Sequence, residues 1–521
     1  MSTEGLVRGL RLGMALALVV LACAFFYRAA DSGYQQGVVP FSLDAGEFSN
    51  LESIKVMRAG ENPYSAEIYG APPFVFTGYT PIYHYVVALL PMPDENPFLW
   101  GRVVAAVSML LVGLLPFLVV ARSGLGVAGV AMGVFFALAP VAYRAVLIRN
   151  DSLGLLLTGL SICLVHRAAG RFGWLFVAVG LSVLSVFVKQ VFFAAPIACA
   201  IWLFYTDRSS FYRFMGAGLG ISLVVVVFVQ IVWGSGFWFA TIMGPQHPMM
   251  WQNGLAVASL VLLREPLAIA LVGVALLVGL LSAREKGRQA LLESPYLLYV
   301  LTSTAVLVAT VGKLGSGTNY FIEPFLAILL WLTYLVSRSE RPYLRNPLVV
   351  SLAVLVVLAE CLQFILVPAP MFPSARPEKA KQVIANLERE RQDIESLGIE
   401  NPSVLGLLHH PGLYRESDDV HLSYPLFYLQ LWHDELLDLD DLIVHVENSE
   451  FDIIVAPRGW WEGPRSVEPD AGLTWREIMH GPTRLMEAVE SHYQVGSERG
   501  DTLYLVRESS RVPQLQSVEG P

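Results

Sequence analysis

Charge is scarce in this chain. Only 15% of its 521 residues are Asp, Glu, Lys or Arg, 55% are hydrophobic, and mean hydropathy is +0.54. That balance excludes an ordinary water-soluble enzyme and places the sequence among membrane proteins. Cysteine is scarcer still. Cys23, Cys163, Cys199 and Cys361 all fall inside apolar runs, so neither a disulfide framework nor a thiolate metal site is expected. No basic face with interleaved aromatics is visible, which excludes nucleic acid as an expected partner. His409, His410, His421 and His433 lack the tight spacing of a zinc site. No internal repeat is visible either, and many secondary transporters are built from repeats.

Long apolar runs are what the sequence has in quantity. Runs of bilayer-crossing length, about 17 to 25 residues, lie near 10–27, 98–121, 124–143, 152–167, 172–188, 190–206, 213–233, 265–283, 295–312, 318–337 and 347–367, which makes eleven spans. Arg8 and Arg11 precede the first. Alternate loops then carry Arg122; Arg167 and Arg171; Arg208 and Arg213; Arg284, Lys286 and Arg288; and Arg338, Arg341 and Arg345. Short cytoplasmic loops collect Lys and Arg, so the N-terminus is expected in the cytoplasm and the chain after 370 outside. The first run also reads as a signal peptide, with Ala22-Cys23-Ala24 as a small-residue site or Val20-Leu21-Ala22-Cys23 as a poor lipobox. Either reading leaves the next loop outside.

One apolar run, TPIYHYVVALL from Thr80 to Leu90, has about half the spanning length and sits between Pro81 and Pro91. It predicts a short interfacial helix, because counting it as a span would invert every later basic loop. Residues 28–97 are therefore expected to form one external loop with short helices at the membrane surface. The chain from 372 to 521 alternates strand-like runs (VLGLLHH, FDIIVAP, DTLYLVRE) with helical ones (PEKAKQVIANLERERQDIESLG, DLDDLIVHVENSE, RLMEAVESHY). It predicts a small extracytoplasmic α/β domain after an all-α membrane domain at 1–371.

On this topology the polar residues at membrane depth collect on the external side. They are Asp44 and Glu47; Arg144, Arg149 and Asp151; Lys189 and Gln190; His247; and Lys313, Asn319, Tyr320 and Glu323. Ionisable groups near bilayer depth are costly and point to function. Each also has an ordinary structural reading. Asp151 suits a helix N-terminus, Lys189 and Lys313 can snorkel to the interface, and Gly312, Gly315 and Gly317 make a loop whose backbone N–H groups could face a phosphate. Glu323, about one turn inside a span, needs a partner. His84, among Tyr79, Tyr83 and Tyr85, reads first as part of an interfacial aromatic belt and second as a sugar or headgroup platform.

The stretch FSLDAGEFSN, Phe41 to Asn50, is ambiguous in itself. Asp44 and Glu47 fit the N-cap and N3 positions of a capping box, with the helix running to Gly60, Lys55 and Arg58 in its last turn and Pro63 beyond. A carboxylate that accepts backbone N–H bonds is a poorer base, so the capping and catalytic roles compete.

These motifs in this order resemble the GT-C class of polytopic glycosyltransferases, in particular its protein-mannosyltransferase and aminoarabinose-transferase-like bacterial members. The resemblance rests on Asp44 to Glu47, AGENPY (Ala59 to Tyr64), YTPIYHY (Tyr79 to Tyr85), GRVVAAVSMLL, RND (Arg149 to Asp151), Lys189-Gln190 and KLGSGTNYFIE (Lys313 to Glu323), and covers about residues 10–340. YTPIYHY has Thr80 where the family motif has its first Pro. The resemblance implies a membrane enzyme in the bacterial plasma membrane that transfers a sugar from a polyprenyl-phosphate donor to a cell-envelope acceptor outside the cytoplasm, with inversion. It implies Asp44 as general base, with Glu47 as the other candidate. Arg149, Lys189 and Lys313 would hold the donor phosphate. Tyr79, Tyr83, His84, Asp151, Gln190, Asn319, Tyr320 and Glu323 would line the substrate site. No metal or other cofactor is assigned, since Asp44, Glu47, Asp151 and Glu323 do not make a recognisable metal set. The competing reading is a transporter or flippase for a lipid-linked or anionic substrate.

Overall fold

The computed structural model describes residues 45–120, 125–138, 145–168, 171–246, 249–264, 266–287, 289–313, 316–337, 394–400, 402–407, 437–458, 483–499 and 502–508, with a few isolated positions between them. The expected spans 10–27 and 347–367, together with Asp44, Arg144, His247, Gly315, His409, His410 and His433, lie outside the described residues.

Among the described residues, two short helices dock on the bundle ahead of its first member, with a single helical turn at Ala66–Tyr69 between them. α1 (Ala45–Arg58) carries Glu47 in its first turn and Lys55 and Arg58 in its last, charges that match its dipole at both ends. It stops where the sequence predicts. Gly60 takes φ +81°, its N–H donates to Met57 O (3.1 Å), and the Glu61 N–H donates to Val56 O (3.2 Å). This is the Schellman pairing that closes a helix on a left-handed residue. α2 (Ile82–Ala88) is the half-length helix of TPIYHYVVALL. Leu51 and Ile54 of α1, Tyr83 and Val87 of α2, Phe98, Ile148 and Val188 form one buried cluster, which docks both short helices on the end of the bundle.

The bundle contains α3 (Leu99–Val119), α4 (Leu125–Ala137), α5 (Asn150–Ala168), α6 (Phe172–Val188), α7 (Ala194–Thr206), α8 (Arg208–Trp238), α9 (Trp251–Arg264), α10 (Pro266–Lys286), α11 (Pro295–Thr310) and α12 (Ile322–Ser337). Nine expected spans coincide with helices α3 to α8 and α10 to α12. Leu99–Val119, Arg208–Met243, Leu267–Arg284 and Thr318–Ser337 are long and apolar enough to cross a membrane. α12 is central, buried along almost its whole length and packed on α3, α4, α10 and α11. α8 is peripheral. Leu219, Leu223, Val224 and Ile231 are each more than 60% exposed, an apolar surface that lipid covers and water would not. α9 falls between the expected spans 213–233 and 265–283, where the sequence reading counted no span. Its 14 residues extend about 21 Å, short of a bilayer core of about 30 Å.

The C-terminal part holds a five-stranded sheet in the order β2-β1-β3-β5-β4. The strands are β1 (Val404–Gly406), β2 (Val420–His421), β3 (Ile453–Pro457), β4 (Tyr493–Arg499) and β5 (Thr502–Arg507), with helices α13 (Asp440–Glu447) and α14 (Thr483–His492) between them. β1 runs parallel to β2 and β3, whereas β5 is antiparallel to β3 and β4. Both faces of the central strands are covered, which is why they read as apolar runs. Ile453, Val455, Tyr504 and Val506 pack on Ile394 and Leu397. Ile454, Ala456, Leu503 and Leu505 share a core with α13, α14 and, from the membrane part, Tyr64, Phe74, Phe76, Trp233 and Phe237. Leu422 N–H donates to Pro73 O (2.9 Å) across that contact. β4, YQVGSER, was not expected. It is a half-polar edge strand with a bulge between Val495 and Ser497 and has little apolar alternation to announce it.

Candidate functional site

Glu47 is fully buried and serves as a hub. Arg102 Nε donates to Oε1 (2.8 Å) and Arg102 Nη2 to Oε2 (2.7 Å). The Ile148 N–H also reaches Oε1 (3.1 Å), and the Leu43 N–H reaches Oε2 (2.8 Å). Four donors on one carboxylate complete a reach-back cap that extends to Leu43, one residue before Asp44. They also tie α1 to the start of α3 and to the loop before α5. Each oxygen of Glu47 already accepts two bonds, so the geometry favours it as a fastener rather than as a base.

The neighbouring residues continue this lattice. Asn50 Nδ2 donates to Ile148 O (2.8 Å), so its Oδ1 faces His84 Nε2 at 2.8 Å. An amide oxygen can only accept, so Nε2 carries the proton. His84 is fully buried on α2, and burial lowers its pKa from 6.5 to about 4. Its neighbour Tyr83 donates to Gly101 O (3.0 Å). Tyr83 and His84 of this expected platform therefore dock α2 on the protein. Between roughly pH 6.5 and 4 the unfolded chain binds a proton at His84 that the folded chain refuses, so stability falls as pH falls through that window, by about 3 kcal/mol in full. Denaturant unfolding in detergent at pH 7 and at pH 4.5 should show this drop for the native protein and a smaller one for His84→Gln.

Arg149 lies against the first turn of α1. A Cβ built on Gly46 would fall 2.3 Å from Arg149 Cζ, so only glycine lets the guanidinium rest on the helix there. Beside it, Asn150 Nδ2 donates to Val188 O (2.9 Å), fastening the start of α5 to the end of α6. Those two ends carry the second buried pair. Lys189 Nζ lies 2.7 Å from Asp151 Oδ1, and Asn319 Nδ2 donates to the same oxygen at 3.0 Å. The Lys189 ammonium also sits 5.5 Å from the Tyr79 ring and 5.4 Å from the Tyr320 ring, within cation–π range of both. One carboxylate and two ring faces thus fix the ammonium in position.

These residues face a common space. Asp151, Lys189, Asn319, Tyr320 and Glu323 line one cavity, together with Met109, Phe192, Ser303 and Leu307. Glu323 accepts from Tyr299 Oη (3.0 Å) on α11, a partner the sequence did not single out. Two other expected members stand apart. Gln190 Nε2 donates to Gly78 O (3.1 Å) and Thr241 O (2.9 Å), pinning the stretch before α2 to the turn Phe239–Met243 that follows α8. Lys313 is half-buried in a bridge to Met249, and Gly312 O accepts from the Met250 N–H (2.6 Å). Among the described residues, no group of three or more His, Cys, Asp or Glu is placed to hold a metal ion.

No family model matches the chain, and no curated protein matches it in sequence. Its structure is similar to that of ArnT from Cupriavidus metallidurans bound to undecaprenyl phosphate, with a TM-score of 0.54 at 13% identity over 96% of this chain and 98% of that one. This chain has the fold of ArnT. The apo form of ArnT gives a TM-score of 0.53 at 13% identity, covering 95% of this chain and 98% of that one. The Archaeoglobus fulgidus oligosaccharyltransferase in its apo form is a weaker likeness, with a TM-score of 0.48 at 12% identity over 96% of this chain and 75% of that one. The likeness to ArnT runs nearly end to end, so the surface helices, bundle and C-terminal sheet belong to one shared architecture. At 13% identity it carries the fold alone, and the roles of individual residues rest on the geometry of this chain.

Within the ArnT-like fold, sequence reasoning missed Arg102, Asn50 and Tyr299. Arg102 had a readable signal, since it is the one charge in GRVVAAVSMLL, near the start of an apolar span, where a charge needs a partner. Asn50 and Tyr299 had none, because each is an ordinary residue whose partner is distant in sequence.

Proposed function

We propose that this integral membrane protein is a glycosyltransferase that moves a sugar from a polyprenyl-phosphate donor to a cell-envelope acceptor. The reaction takes place on the extracytoplasmic face, with inversion at the anomeric carbon. The observation that carries this reading is the cavity lined by Asp151, Lys189, Asn319, Tyr320 and Glu323, in the fold of a protein that binds undecaprenyl phosphate. On this reading residues 1–371 form the membrane transferase domain, with the N-terminus in the cytoplasm, and 372–521 an extracytoplasmic α/β domain.

The acceptor hydroxyl attacks the anomeric carbon and gives its proton to the Asp44 carboxylate, which is the ordinary use of a positioned base. The bond from that carbon to the phosphate oxygen breaks, and negative charge grows on the leaving phosphate. Fixed cations oppose that charge at no reorganisation cost. Lys189, already oriented by Asp151 and two aromatic rings, and Arg149, seated on Gly46, are held in this way, whereas Lys313 stands apart in its bridge to Met249 and is left out of the phosphate site. Tyr79, Tyr320, Asn319, Asp151 and Glu323 supply ring faces and hydrogen-bonding groups for the sugar. Tyr83, His84 and Gln190 contribute indirectly, by holding α2 and the stretch before it in place.

Purified protein in lipid vesicles, given a polyprenyl-phosphate sugar and envelope acceptors, should release lipid phosphate in step with sugar appearing on the acceptor. Substrate that crosses intact vesicles with no sugar transferred would replace this reading with transport.

Gly46→Ala tests the seat of Arg149. The colliding atoms are the far end of a flexible side chain, so the guanidinium swings aside and the helix stays. Alanine raises helix propensity by up to about 1 kcal/mol, whereas a displacement of about 1 Å at a reacting centre can cost about 10²-fold in rate. The expected result is a folded protein with strongly reduced transfer, read by the vesicle assay beside an unfolding curve. Unchanged transfer would remove Arg149 from the donor site.

A further inference from the structure

The opposite end of the bundle from Lys189 contains a second cavity, of about 200 Å³, where the end of α5, the start of α6, the end of α7 and the start of α8 meet. Its charged and hydroxyl lining comprises Arg171, Arg213, Asp207, Thr206 and Ser210, and its floor includes Leu175. We propose that this cavity holds the headgroup of an anionic phospholipid of the surrounding membrane, its phosphodiester between Arg171 and Arg213.

Three features support a lipid phosphodiester. The first is charge. Asp207 is engaged by its own helix, accepting from Ser210 N (3.1 Å) and Ser210 Oγ (2.6 Å) as the N-cap of α8. The two arginines then leave a net charge of +1 on the lining, which a phosphodiester neutralises. The second is shape. A guanidinium offers a planar fork that fits a phosphate in two-pronged fashion, and the Arg213 guanidinium rests 6.0 Å from the Phe172 ring at the edge of the cavity. Liquid water takes about 30 Å³ per molecule, so the space admits several waters or a phosphate with its ester arms. The third is position. Phe172 lines the cavity and is exposed, as are Trp174, Phe176, Tyr205 and Tyr212 on the same helix ends; such aromatics form the amphipathic belt found at headgroup level, and apolar side chains of α8 continue from it toward the bilayer centre. Basic pockets between membrane helices on the cytoplasmic side take lipid headgroups in this way.

The competing explanation is that Arg171 and Arg213 only set orientation, as loop arginines do. The two can be separated by native mass spectrometry of the full chain in detergent with phosphatidylglycerol or phosphatidylcholine added, and inorganic phosphate as a free competitor. The expected result is retention of one phosphatidylglycerol in preference to phosphatidylcholine, unaffected by millimolar phosphate. Retention should fall roughly tenfold in R171Q/R213Q, in line with the loss of charge-assisted bonds to phosphate, and should be unchanged in R284Q, a basic residue at the end of α10 outside the cavity. L175W keeps every charge but fills the floor, and should also lose the lipid. The inference is overturned if R284Q weakens retention as much as R171Q/R213Q, if L175W retains the lipid, if inorganic phosphate displaces it, or if phosphatidylcholine binds equally well. Unfolding curves matching the native protein are required of each variant. Should R171Q/R213Q not fold, L175W decides alone.

Discussion

Asp44→Asn is expected to lower sugar transfer by about 10² to 10⁴-fold, the range that a positioned general base supplies, while the protein folds and unfolds as before. Asn caps a helix as well as Asp does, so the first turn of α1 keeps its start and the substitution removes only the capacity to take a proton. The position is tightly framed. Two residues on, Gly46 supports the Arg149 guanidinium. Three residues on, Glu47 is locked to Arg102 at 2.7 and 2.8 Å. One residue back, Leu43 gives its N–H to Glu47. The turn is therefore fastened to the bundle through Leu43, Gly46 and Glu47. The vesicle assay reports the rate, and an unfolding curve on the same preparation reports the fold. Full transfer by Asp44→Asn would reduce Asp44 to helix architecture. It would also leave Glu47, each of whose oxygens already accepts two bonds, as the remaining candidate base.

What the sequence made legible and what it did not divide along physical lines. Spans such as Leu99–Val119 and Thr318–Ser337 were readable because a bilayer imposes a length and a composition on any helix that crosses it. The stop of α1 at Gly60 was readable because capping is chemistry between near neighbours. Strands β3 and β5 were readable because both of their faces are buried. α9 and β4 were missed for complementary reasons. α9 is apolar but too short to be counted, and β4 is an edge strand whose partner, β5, lends it the order its own sequence does not announce. The site divides in the same way. Lys189 and Glu323 announced themselves as charges with no local partner. Their actual partners, Asp151 and Tyr299, are fixed by how α5, α6, α11 and α12 meet, and no spacing along the chain encodes that. DAGE was the hardest case. A capping box predicts a local reciprocal bond, and the structure adds Arg102 and Ile148 from distant segments, so one carboxylate closes its own helix and docks that helix on the bundle.

Glu47→Leu is expected to cost about 3 to 5 kcal/mol of stability, because it leaves the Arg102 guanidinium buried without its partner. Arg102 is only 1% exposed, so water cannot replace the lost carboxylate. The Ile148 and Leu43 N–H groups lose an acceptor at the same time, which adds to the cost. Arg102→Met removes the cation and leaves the carboxylate with two backbone donors, a milder loss. The double variant Glu47→Leu with Arg102→Met removes both charges and is expected to recover much of the deficit, since apolar replacements of a buried pair are often neutral or better. Denaturant unfolding in mixed micelles gives the four corners of this cycle, and a coupling energy below about 0.5 kcal/mol would mean that the pair does not hold α1 in place. The cycle also separates fastening from chemistry. If Glu47 only fastens, transfer by the double variant returns toward the native rate along with its stability, since α1 is again seated and Asp44 is untouched. If transfer stays lost in a protein that has regained its fold, Glu47 takes part in the reaction itself.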